Sequence, residues 1–430
     1  MRKILIVGAG QAGLQLALGL QARGYDVTVV SNRTPDEIRG GRVMSTQCMF
    51  GTALRHERAL GLNFWEKQAP DIHGLGISVA APEGGEGGTA GGPGAGSGAG
   101  PRPGRSVDWL GRLRASAQSV DQRVKMAGWL ETFAERGGTV VIHAASVSDL
   151  DYFSRAYDLV LVTAGKGDIV SLFRRDAARS PYSGVQRVLA VSYVHGLDPR
   201  PEHPDVQAVR CNLVPGVGEL IVIPAFTTTG PCDILFWEGV PGGPLDVFEG
   251  VKAPAHVLRL TLDLMRRFTP WEYDRAREVE LTDAGGTLTG GYAPTVREAV
   301  AQVPSGGLVL GVADVAVAND PVTGQGSNSA AKCAALYLRG ILDRGDRPFD
   351  AGWMRETADA AWAASEPVTR WTNAMLAPPP GHVLELIGAG GVLPSVADRI
   401  ANGFDDPADF GDWFYDPERA TAFLAAAASS

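Results

Sequence analysis

Three glycines near the start of the chain have a spacing that suits nucleotide binding. Gly8, Gly10 and Gly13 stand between a short apolar run and an apolar-rich segment with helical character. In a strand-turn-helix unit the first glycine permits a tight turn, the second lets a pyrophosphate approach, and the third lets the helix approach the strand. Amides at the start of the helix, here those of Gln11 and Ala12, then stabilise phosphate charge. The pattern predicts a bound dinucleotide.

The residues after the second predicted strand do not show which dinucleotide binds. An acidic residue at this position usually binds a ribose hydroxyl. In this chain the strand is followed by Ser31, Asn32 and Arg33 instead. We expect the Ser31 hydroxyl and the Arg33 guanidinium to contact the dinucleotide in place of the missing carboxylate.

A second constellation follows a buried strand late in the chain. Asp314 comes first, and residues 319–328 then read Asn-Asp-Pro-Val-Thr-Gly-Gln-Gly-Ser-Asn before an apolar segment with helical spacing. It resembles the flavin-binding segment of single-FAD aromatic monooxygenases, in which a Gly-Asp pair binds the ribityl chain and a Pro-x-x-Gly-x-Gly loop lies beside the isoalloxazine. The pair reads Ala313-Asp314 here, so the aspartate is kept and the glycine is not.

This resemblance implies FAD as the cofactor. The helix after the loop would direct its N-terminus at the pyrimidine side of the flavin, where its partial positive charge favours the anionic reduced form. The residues expected to contact the cofactor are Gly8, Gly10, Gln11, Ala12, Gly13, Ser31, Arg33, Arg42, Met44, Asp314, Pro321, Gly324, Gly326, Ser327 and Asn328.

A site for a nicotinamide cofactor is not expected. Hydroxylases that bind NAD(P)H themselves often carry an Asp-Gly motif after the central strand. The corresponding stretch here reads Ala-Gly-Lys-Gly-Asp, with Lys166 at the acidic position. No second GxGxxG follows a predicted strand. We therefore expect reduced flavin to come from another protein.

Nearly the whole chain outside a Gly-rich insertion resembles the oxygenase component of two-component styrene and indole monooxygenases. Further stretches that carry the resemblance are Thr163 to Lys166, Gly218 to Pro224 and Arg370 to Asn373. It implies that an NADH-dependent flavin reductase, as a transient partner, supplies FADH₂. It also implies that FADH₂ and O₂ form a C4a-(hydro)peroxide, which transfers one oxygen to a carbon-carbon double bond. No metal site or catalytic triad is expected.

Within that family, the segment Arg42 to Met49 lines the substrate side of the flavin. Ser45, Gln47 and Met49 resemble the indole branch, whereas the styrene branch typically has Asn, Val and His at these positions. Gln47 could orient a substrate N–H, and Met49 and Ile72 would supply apolar surface. The residues expected at the substrate are Ser45, Gln47, Met49, Ile72, Leu75, Ala117 and Pro321.

Four functional hypotheses remain open at this point. The leading one is epoxidation of the C2=C3 bond of indole or of an indole derivative. The alternatives are epoxidation of styrene or another aryl-alkene, self-sufficient hydroxylation with NAD(P)H, and binding of FAD without oxygen chemistry. Lys166 disfavours the self-sufficient hydroxylase, while a glycine fingerprint by itself reports binding rather than turnover.

Composition favours a small molecule as the partner, and the resemblance implies an aromatic one. The net charge is −9 and no dense Lys/Arg run occurs, so neither a nucleic acid nor a membrane is expected. Four dispersed cysteines predict reduced thiols without zinc, and none of the seven histidines receives a role. The apolar N-terminus contains the glycine fingerprint rather than a signal peptide, so we expect a cytoplasmic protein, either a monomer or a homodimer.

The elements that position these residues predict an α/β fold. Hydrophobic periodicity predicts a helix over 120–135 and strands at 25–30, 139–143, 158–163 and 307–315. Alternating segments between about Val188 and Val240 indicate an antiparallel sheet. We predict a discontinuous Rossmann-like FAD-binding domain at 1–170 and 285–345, a mobile Gly-rich insertion at about 83–107, a substrate domain at 171–284, and a C-terminal helical cap at 346–430.

Overall fold

The computed structural model describes residues 2–82, 104–165 and 167–429. The chain divides into two compact units. Unit 1 comprises Met1–Lys67, Val120–Val185 and Tyr292–Asn373, and unit 2 comprises Gln68–Ser119, Gln186–Gly291 and Ala374–Ser430. Lys166 and most of the predicted Gly-rich insertion lie outside the described residues. Within those residues, no helix is both long enough and apolar enough to span a bilayer.

Strands and helices are numbered along the chain. The strands are β1 (Lys3–Val7), β2 (Asp26–Ser31), β3 (Cys48–Met49), β4 (Ile72–Ala80), β5 (Arg105–Ser119), β6 (Thr139–Ile142), β7 (Leu159–Val162), β8 (Val188–His195), β9 (Ala208–Val214), β10 (Gly218–Thr227), β11 (Gly230–Gly239), β12 (Glu280–Leu281), β13 (Thr287–Gly290), β14 (Thr295–Val296), β15 (Val300–Gln302), β16 (Leu308–Gly311) and β17 (Val317–Ala318). The helices are α1 (Gln11–Gln21), α2 (Pro35–Arg39), α3 (Gly51–Ala59), α4 (Gln122–Glu135), α5 (Val147–Ala156), α6 (Pro254–Phe268), α7 (Pro270–Tyr273), α8 (Gly326–Arg344), α9 (Ala351–Leu376), α10 (Gly381–Ala389), α11 (Pro394–Gly403) and α12 (Pro417–Ala428).

Unit 1 is built around a six-stranded sheet with the order β15-β16-β7-β1-β2-β6. The strands from β16 to β6 run parallel, and the short edge strand β15 is antiparallel to β16. β1 after Lys3 and the whole of β7 are continuous apolar runs, as expected of parallel strands that are buried on both faces. The four strands predicted for this part of the chain are present, although the last ends at Gly311. The predicted α/β class is confirmed.

Helix α1 lies in the centre of the unit 1 core, where ten of its eleven residues are buried. Leu14 and Leu18 share one hydrophobic cluster with Trp129 and Phe133 of α4 and with Tyr337 of α8. The Trp129 indole N–H donates to the carbonyl oxygen of Leu62 at 2.9 Å, so its polar atom is satisfied inside the core. Burial of each large apolar side chain contributes about 1.5–3 kcal/mol.

The strands of unit 2 form a second sheet, in the order β12-β8-β11-β10-β9-β4-β5, with β13 also paired to β8. Neighbours are antiparallel except β4 and β9. The four alternating segments predicted between Val188 and Val240 are β8 to β11, so the predicted antiparallel sheet is confirmed. Helix α6 buries Val257, Met265 and Phe268 in the same cluster as Trp237 of the sheet.

The compact units divide the chain differently from the predicted domains. β4 and β5 belong to unit 2 because β4 pairs with β9 along the stretch from Gly74 to Val79. The predicted insertion extended too far, since β5 begins at Arg105, opposite Ala80. The C-terminal helical region is present but divided: Trp353 of α9 lies in the core of unit 1, whereas α10, α11 and α12 belong to unit 2.

Asp233 is a polar residue inside the unit 2 sheet. It lies on β11, opposite Pro224 of β10 and Val194 of β8. Burial raises the pKa of its carboxyl to about 7, and the charge of Arg275 opposes this rise only in part. The folded chain therefore holds a proton on Asp233 more tightly than the unfolded chain does, where an aspartate has a pKa of about 3.9.

We expect Asp233→Asn to flatten the pH dependence of stability. The stability contributed by Asp233 is fully present below about pH 4 and is lost as the pH rises through the raised pKa, because the folded chain must then ionise a buried carboxyl. In urea unfolding, the free energy of unfolding of the variant relative to the wild type should rise by about 1–3 kcal/mol from pH 5 to pH 8. Asp205→Asn, at an exposed aspartate, is the control. An advantage that stays constant over this range would contradict the prediction.

Candidate functional site

Four strands of the unit 1 sheet end at one edge, where the sequence places its candidate residues. The registers align Val7 at the end of β1 with Val30 of β2 and with Val162 of β7, and Val162 with Gly311 of β16. Ser31 is the last residue of β2, and the glycine turn, Thr163 and Asp314 follow the other three strands. From β1 the sheet continues to one side with β2 and β6 and to the other side with β7 and β16, so the strand order reverses between β1 and β7. Open α/β sheets bind ligands at such a point, outside the carboxyl ends of their strands.

Gly8 and Gly13 of the fingerprint must be glycine because of the surrounding backbone, whether or not a ligand is bound. A Cβ on Gly13 would lie 2.1 Å from the carbonyl oxygen of Gly8 and 2.6 Å from Oγ1 of Thr163. Gly8 has a φ of +119°, which other residues rarely adopt. The Thr163 hydroxyl donates to the Gly8 carbonyl oxygen at 2.9 Å and holds the turn against β7. Helix α1 can begin this close to β1 only with glycine at both positions.

Gly10 is glycine for a different reason. Its φ is −92°, and a Cβ at this position would meet no atom within 4 Å. Nothing in the described protein therefore excludes a side chain there. Gly10 directly precedes α1, so a side chain would occupy space beside the first helical amides, where anions bind. This open space fits the pyrophosphate of FAD.

Ser31 and Arg33 form the strand end that lacks a ribose-binding acid. The buried Ser31 hydroxyl donates to the Arg33 carbonyl oxygen at 2.6 Å and accepts from the Arg33 amide at 3.3 Å. Nη2 of Arg33 donates to Sδ of Met44 at 2.9 Å, which connects the end of β2 to the segment 42–49. Arg42 is exposed. Contact of these side chains with the cofactor stays a prediction.

Asp314 lies beside the end of β7, and its carboxylate is exposed at the sheet edge. A Cβ on Gly165 would be 2.7 Å from Cβ of Asp314, so the two strand ends approach this closely only with glycine at 165. Ala313 stands where the resembling family has glycine, and its φ is +54°. This left-handed backbone costs a residue with a side chain roughly 1–2 kcal/mol, which explains the family's preference for glycine.

The Pro-x-x-Gly-x-Gly loop has the conformation that its residue types demand. Pro321 begins a single 3-10 turn, and Gly324 closes the turn with a left-handed φ of +63°. The Thr323 hydroxyl forms a hydrogen bond of 2.7 Å with the hydroxyl of Thr372 in α9. Helix α8 then begins at Gly326 and runs for 19 residues, so the loop presents the N-terminus of a long helix.

Asn328, in the first turn of α8, holds the candidate substrate segment in place. Its fully buried side chain donates to the carbonyl oxygen of Cys48 at 2.8 Å and accepts from the amide of Phe50 at 2.8 Å. The N-terminus of α8 and the strand that contains Met49 are therefore bound to each other. The amide of Asn328, which the sequence assigns to the cofactor, has a structural role in this contact.

Gln47 is buried and has an unusual backbone conformation. Its φ is +27°, and among the described residues only Gln47 and Ala313 combine a side chain with a positive φ. Nε2 of Gln122 donates to Oγ of Ser45 at 3.0 Å, and this hydroxyl donates to Oε1 of Gln47 at 2.8 Å. Backbone strain persists where the surrounding structure imposes it, and it is common at functional sites. The position of the Gln47 amide oxygen is thus fixed.

A buried charge pair that the sequence did not reveal lies against Met49. Nζ of Lys125 donates to the Glu57 carboxylate oxygens at 2.8 and 3.1 Å and to Sδ of Met49 at 3.2 Å. Lys125 is 3% exposed, and Glu57 and Met49 are completely buried. Gln11 of α1 donates to Glu57 at 3.0 Å and to Gln15 at 3.1 Å. This network connects the first residue of α1 to the candidate substrate segment.

The remaining candidate substrate residues lie in unit 2. Ile72 of β4 faces Ala117 of β5 across the hairpin, and Leu75 follows in β4. All three side chains are completely buried. Their contact with a substrate stays a prediction. Lys166, on which the argument against a nicotinamide site depends, lies outside the described residues.

Solved structures with a similar fold include flavin-dependent enzymes. The flavin-dependent brominase Bmp2 has a TM-score of 0.65 at 12% identity, with 100% of both chains covered. The flavin-dependent halogenase CmlS has a TM-score of 0.61 at 16% identity and covers 99% of this chain and 72% of its own. The p-nitrophenol 4-monooxygenase PnpA from Pseudomonas putida DLL-E4 has a TM-score of 0.60 at 13% identity, covering 95% and 99%. The fold is that of flavin-dependent halogenases and monooxygenases.

Sequence comparison identifies the family within that class. Residues 165–275 match the family model described as "Styrene monooxygenase A putative substrate binding domain". The chain is 31% identical to the styrene monooxygenase StyA of Pseudomonas fluorescens, over 97% of this chain and 96% of that protein, and equally to StyA of a Pseudomonas species. The chain belongs to the styrene monooxygenase family. It is a two-component FAD-dependent monooxygenase, as the sequence predicted.

The two classes of fingerprint glycine should respond differently to alanine. Gly10→Ala should fold like the wild type but bind FAD at least roughly tenfold more weakly, because its Cβ takes the space left for the pyrophosphate. Gly13→Ala should lose about 1–3 kcal/mol of stability with or without FAD, because its Cβ meets the backbone of Gly8. Thermal unfolding of the apoprotein and fluorescence titration with FAD measure the two effects.

Gly184→Ala is the control, since Gly184 is exposed and a Cβ there also meets no atom within 4 Å. It should change neither stability nor FAD affinity. If Gly10→Ala bound FAD as tightly as the wild type, the pyrophosphate would not lie at the glycine turn.

Removing one charge of the buried pair should lower the free energy of unfolding strongly, whereas removing both charges should lower it little. Lys125→Met leaves a buried carboxylate without its cation and should destabilise the fold by about 3–5 kcal/mol. Combining it with Glu57→Gln removes both charges and keeps an acceptor for Gln11, so most of the loss should be recovered. Urea unfolding measures each variant, and Glu131→Gln, in an exposed ion pair with Arg39, should cost less than about 1 kcal/mol. Additive losses in the double variant would refute the coupling.

Proposed function

We propose that this chain is an oxygenase that epoxidises the C2=C3 bond of indole or of an indole derivative. The observation that carries the proposal is the fixed amide of Gln47. A buried amide oxygen that is oriented through Ser45 and Gln122 suits a substrate with an N–H group. Indole carries such a group beside the C2=C3 bond, whereas styrene has none.

The amide oxygen of Gln47 can serve the protein and a substrate at the same time. A carbonyl oxygen has two lone pairs, and one of them accepts from the Ser45 hydroxyl. We propose that a substrate N–H donates to this same amide oxygen. A site that hydrogen-bonds an N–H group favours the substrate that carries this group over an analogue that cannot form the bond.

Met49 supports the apolar side of the proposed substrate site. It is completely buried in a cluster with Ala53, Leu54 and Ala331, and Lys125 contacts its sulfur. Methionine is unbranched and polarisable, so it adapts to an aromatic neighbour. We propose that Ser45, Gln47, Met49 and Pro321 of unit 1 contact the substrate. The substrate roles of Ile72, Leu75 and Ala117 stay predictions from the sequence.

The flavin is proposed to bind at the carboxyl edge of the unit 1 sheet. The residues that would hold it are Gly10 and the amides of Gln11 and Ala12 at the phosphates, Asp314 at the ribityl chain, and the loop before α8 at the ring. When bound and reduced, the flavin activates O₂. The chain itself holds the substrate at Gln47 and excludes water from the buried segment around Met49.

We further propose that a separate NADH-dependent flavin reductase, bound transiently, delivers FADH₂. The sequence supports this with a lysine at 166 and a single fingerprint of the GxGxxG type. A self-sufficient hydroxylase would lose its flavin absorbance on addition of NADH or NADPH alone, whereas this chain should keep it until a reductase is added. A cytoplasmic location and a monomeric or homodimeric state stay predictions.

Epoxidation of styrene or of another aryl-alkene is the second candidate. It is favoured by the two relatives at 31% identity, which are styrene monooxygenases. Both reactions use the same flavin chemistry, so the comparison must be made on substrates. Protein supplied with FADH₂ and O₂ should oxygenate indole, seen as indigo, with a higher kcat/KM than styrene. A higher kcat/KM for styrene would select the second candidate.

Gln47→Met should change the preference between these substrates. It should lower kcat/KM for indole roughly tenfold, the value of one hydrogen bond of about 1.4 kcal/mol, and leave styrene nearly unchanged. Methionine keeps the length of the side chain and adds no β-branch at a residue with a φ of +27°. Gln302→Met, at an exposed glutamine, is the control. Equal losses on indole and styrene would show that Gln47 supports the fold and not the choice of substrate.

A further inference from the structure

Unit 1 contains a cavity with a lining of its own. It has a volume of about 340 Å³ and is formed by helices α8 and α9 and by the chain from 296 to 317. We call it the α8–α9 cleft. Pockets for small molecules begin at about 300 Å³. None of the residues predicted to contact FAD or substrate lines this cleft.

Three arginines are among the residues that line the α8–α9 cleft. The charged residues that line it are Arg179, Arg297, Arg355, Glu298 and Asp359. Two of them have ion-pair partners outside the cleft, since Arg179 pairs with Asp176 and Glu298 with Arg174. Arg297 and Arg355 have no ion pair of this kind in the described part of the chain, although the charge of Asp314 acts on Arg297 from outside the cleft. A guanidinium binds a ligand carboxylate through charge-assisted hydrogen bonds.

Arg297 is the half-buried member of this set. Its Nη1 donates to the carbonyl oxygens of Asp314 and Val315 at 3.4 and 3.3 Å, which are long contacts. Burial lowers the pKa of its guanidinium, and the charge of Asp314 opposes this only in part. A carboxylate is the group that a guanidinium in this position would bind most strongly, because two parallel hydrogen bonds can form.

Another part of the cleft lining suits a flat apolar ring. Trp362 of α9 lines it, and the guanidinium of Arg179 lies 4.4 Å from the Trp362 ring. Alanines at 299, 313, 316, 358 and 361 leave room beside the indole. The buried Ser329 hydroxyl also lines the cleft and has no hydrogen-bond partner in the described part of the chain. A ligand oxygen would satisfy it.

We propose that the α8–α9 cleft is a second ligand site, which takes a small planar aromatic carboxylate. The carboxylate would pair with Arg297 and Arg355, and the ring would lie against Trp362 and the alanines. Cys333 lines the cleft too, but burial raises the pKa of its thiol to about 12, so the thiol stays protonated. Binding is therefore non-covalent.

The test uses FAD-loaded protein and isothermal titration calorimetry with 2-naphthoate, compared with the neutral 2-naphthamide. The naphthoate should bind at least roughly tenfold more tightly than the amide, because only the naphthoate compensates the guanidinium charge. Ala358→Phe fills the cleft from α9 and should weaken naphthoate binding by at least roughly tenfold. Ala360→Phe, at an exposed alanine of the same helix outside the cleft, should leave it unchanged.

A charge variant tests the same site without filling it. Arg355 is exposed, so Arg355→Gln should fold normally and reduce the preference for naphthoate over naphthamide. Arg339→Gln, at an exposed arginine of α8 outside the cleft, should keep the preference. The proposal is overturned if naphthoate does not bind, if both probes bind equally, or if Ala358→Phe binds like the wild type. Should Ala358→Phe fail to fold, the two arginine variants decide.

Discussion

Helix α1 meets the turn before it at a separation that admits no side chain. A Cβ on Gly13 would lie 2.1 Å from the backbone of Gly8, and one on Gly19 would lie 2.7 Å from Leu338 of α8. The helix is therefore held closely on two sides, by β1 and by α8. Because it is buried along nearly its whole length, its position fixes those of α4 and α8. The carboxyl edge of the sheet takes its shape from this contact.

A helix buried so completely must satisfy its polar side chains inside the protein. Gln11 and Gln15 do so through Glu57 and through the carbonyl oxygen of Ala331 in α8. The carboxylate of Glu57 needs a cation in turn, which Lys125 supplies. Each member would be costly to leave unpaired in the core. The hydrogen bonds thus specify one arrangement of α1, α3, α4 and α8, and the same lysine contacts the candidate substrate segment.

Features that depend on residues close together in the sequence were predictable. The glycine turn, the parallel strands of unit 1 and the alternation of β8 to β11 each follow from neighbours along the chain, and the structure contains all three. Partners distant in sequence were not predictable. Lys125 and Glu57 are 68 positions apart, and Gln122 and Ser45 are 77 apart, so no spacing rule links them. Strand β5 was not predicted, because it directly follows Gly- and Pro-rich sequence, which hid its alternation.

The hairpin of β4 and β5 tolerates changes in the length of the sequence that connects its two strands. The end of β4 is hydrogen-bonded to the start of β5: the Ala81 amide donates to the Gly104 carbonyl oxygen at 2.8 Å, and Ala80 faces Arg105. The register is thus set by the strands and not by the length of chain between them. Doubling a connection costs only about 0.6 kcal/mol in closure entropy. Insertions, deletions or a whole fused domain can therefore accumulate at this point while the sheet and its buried residues keep their places.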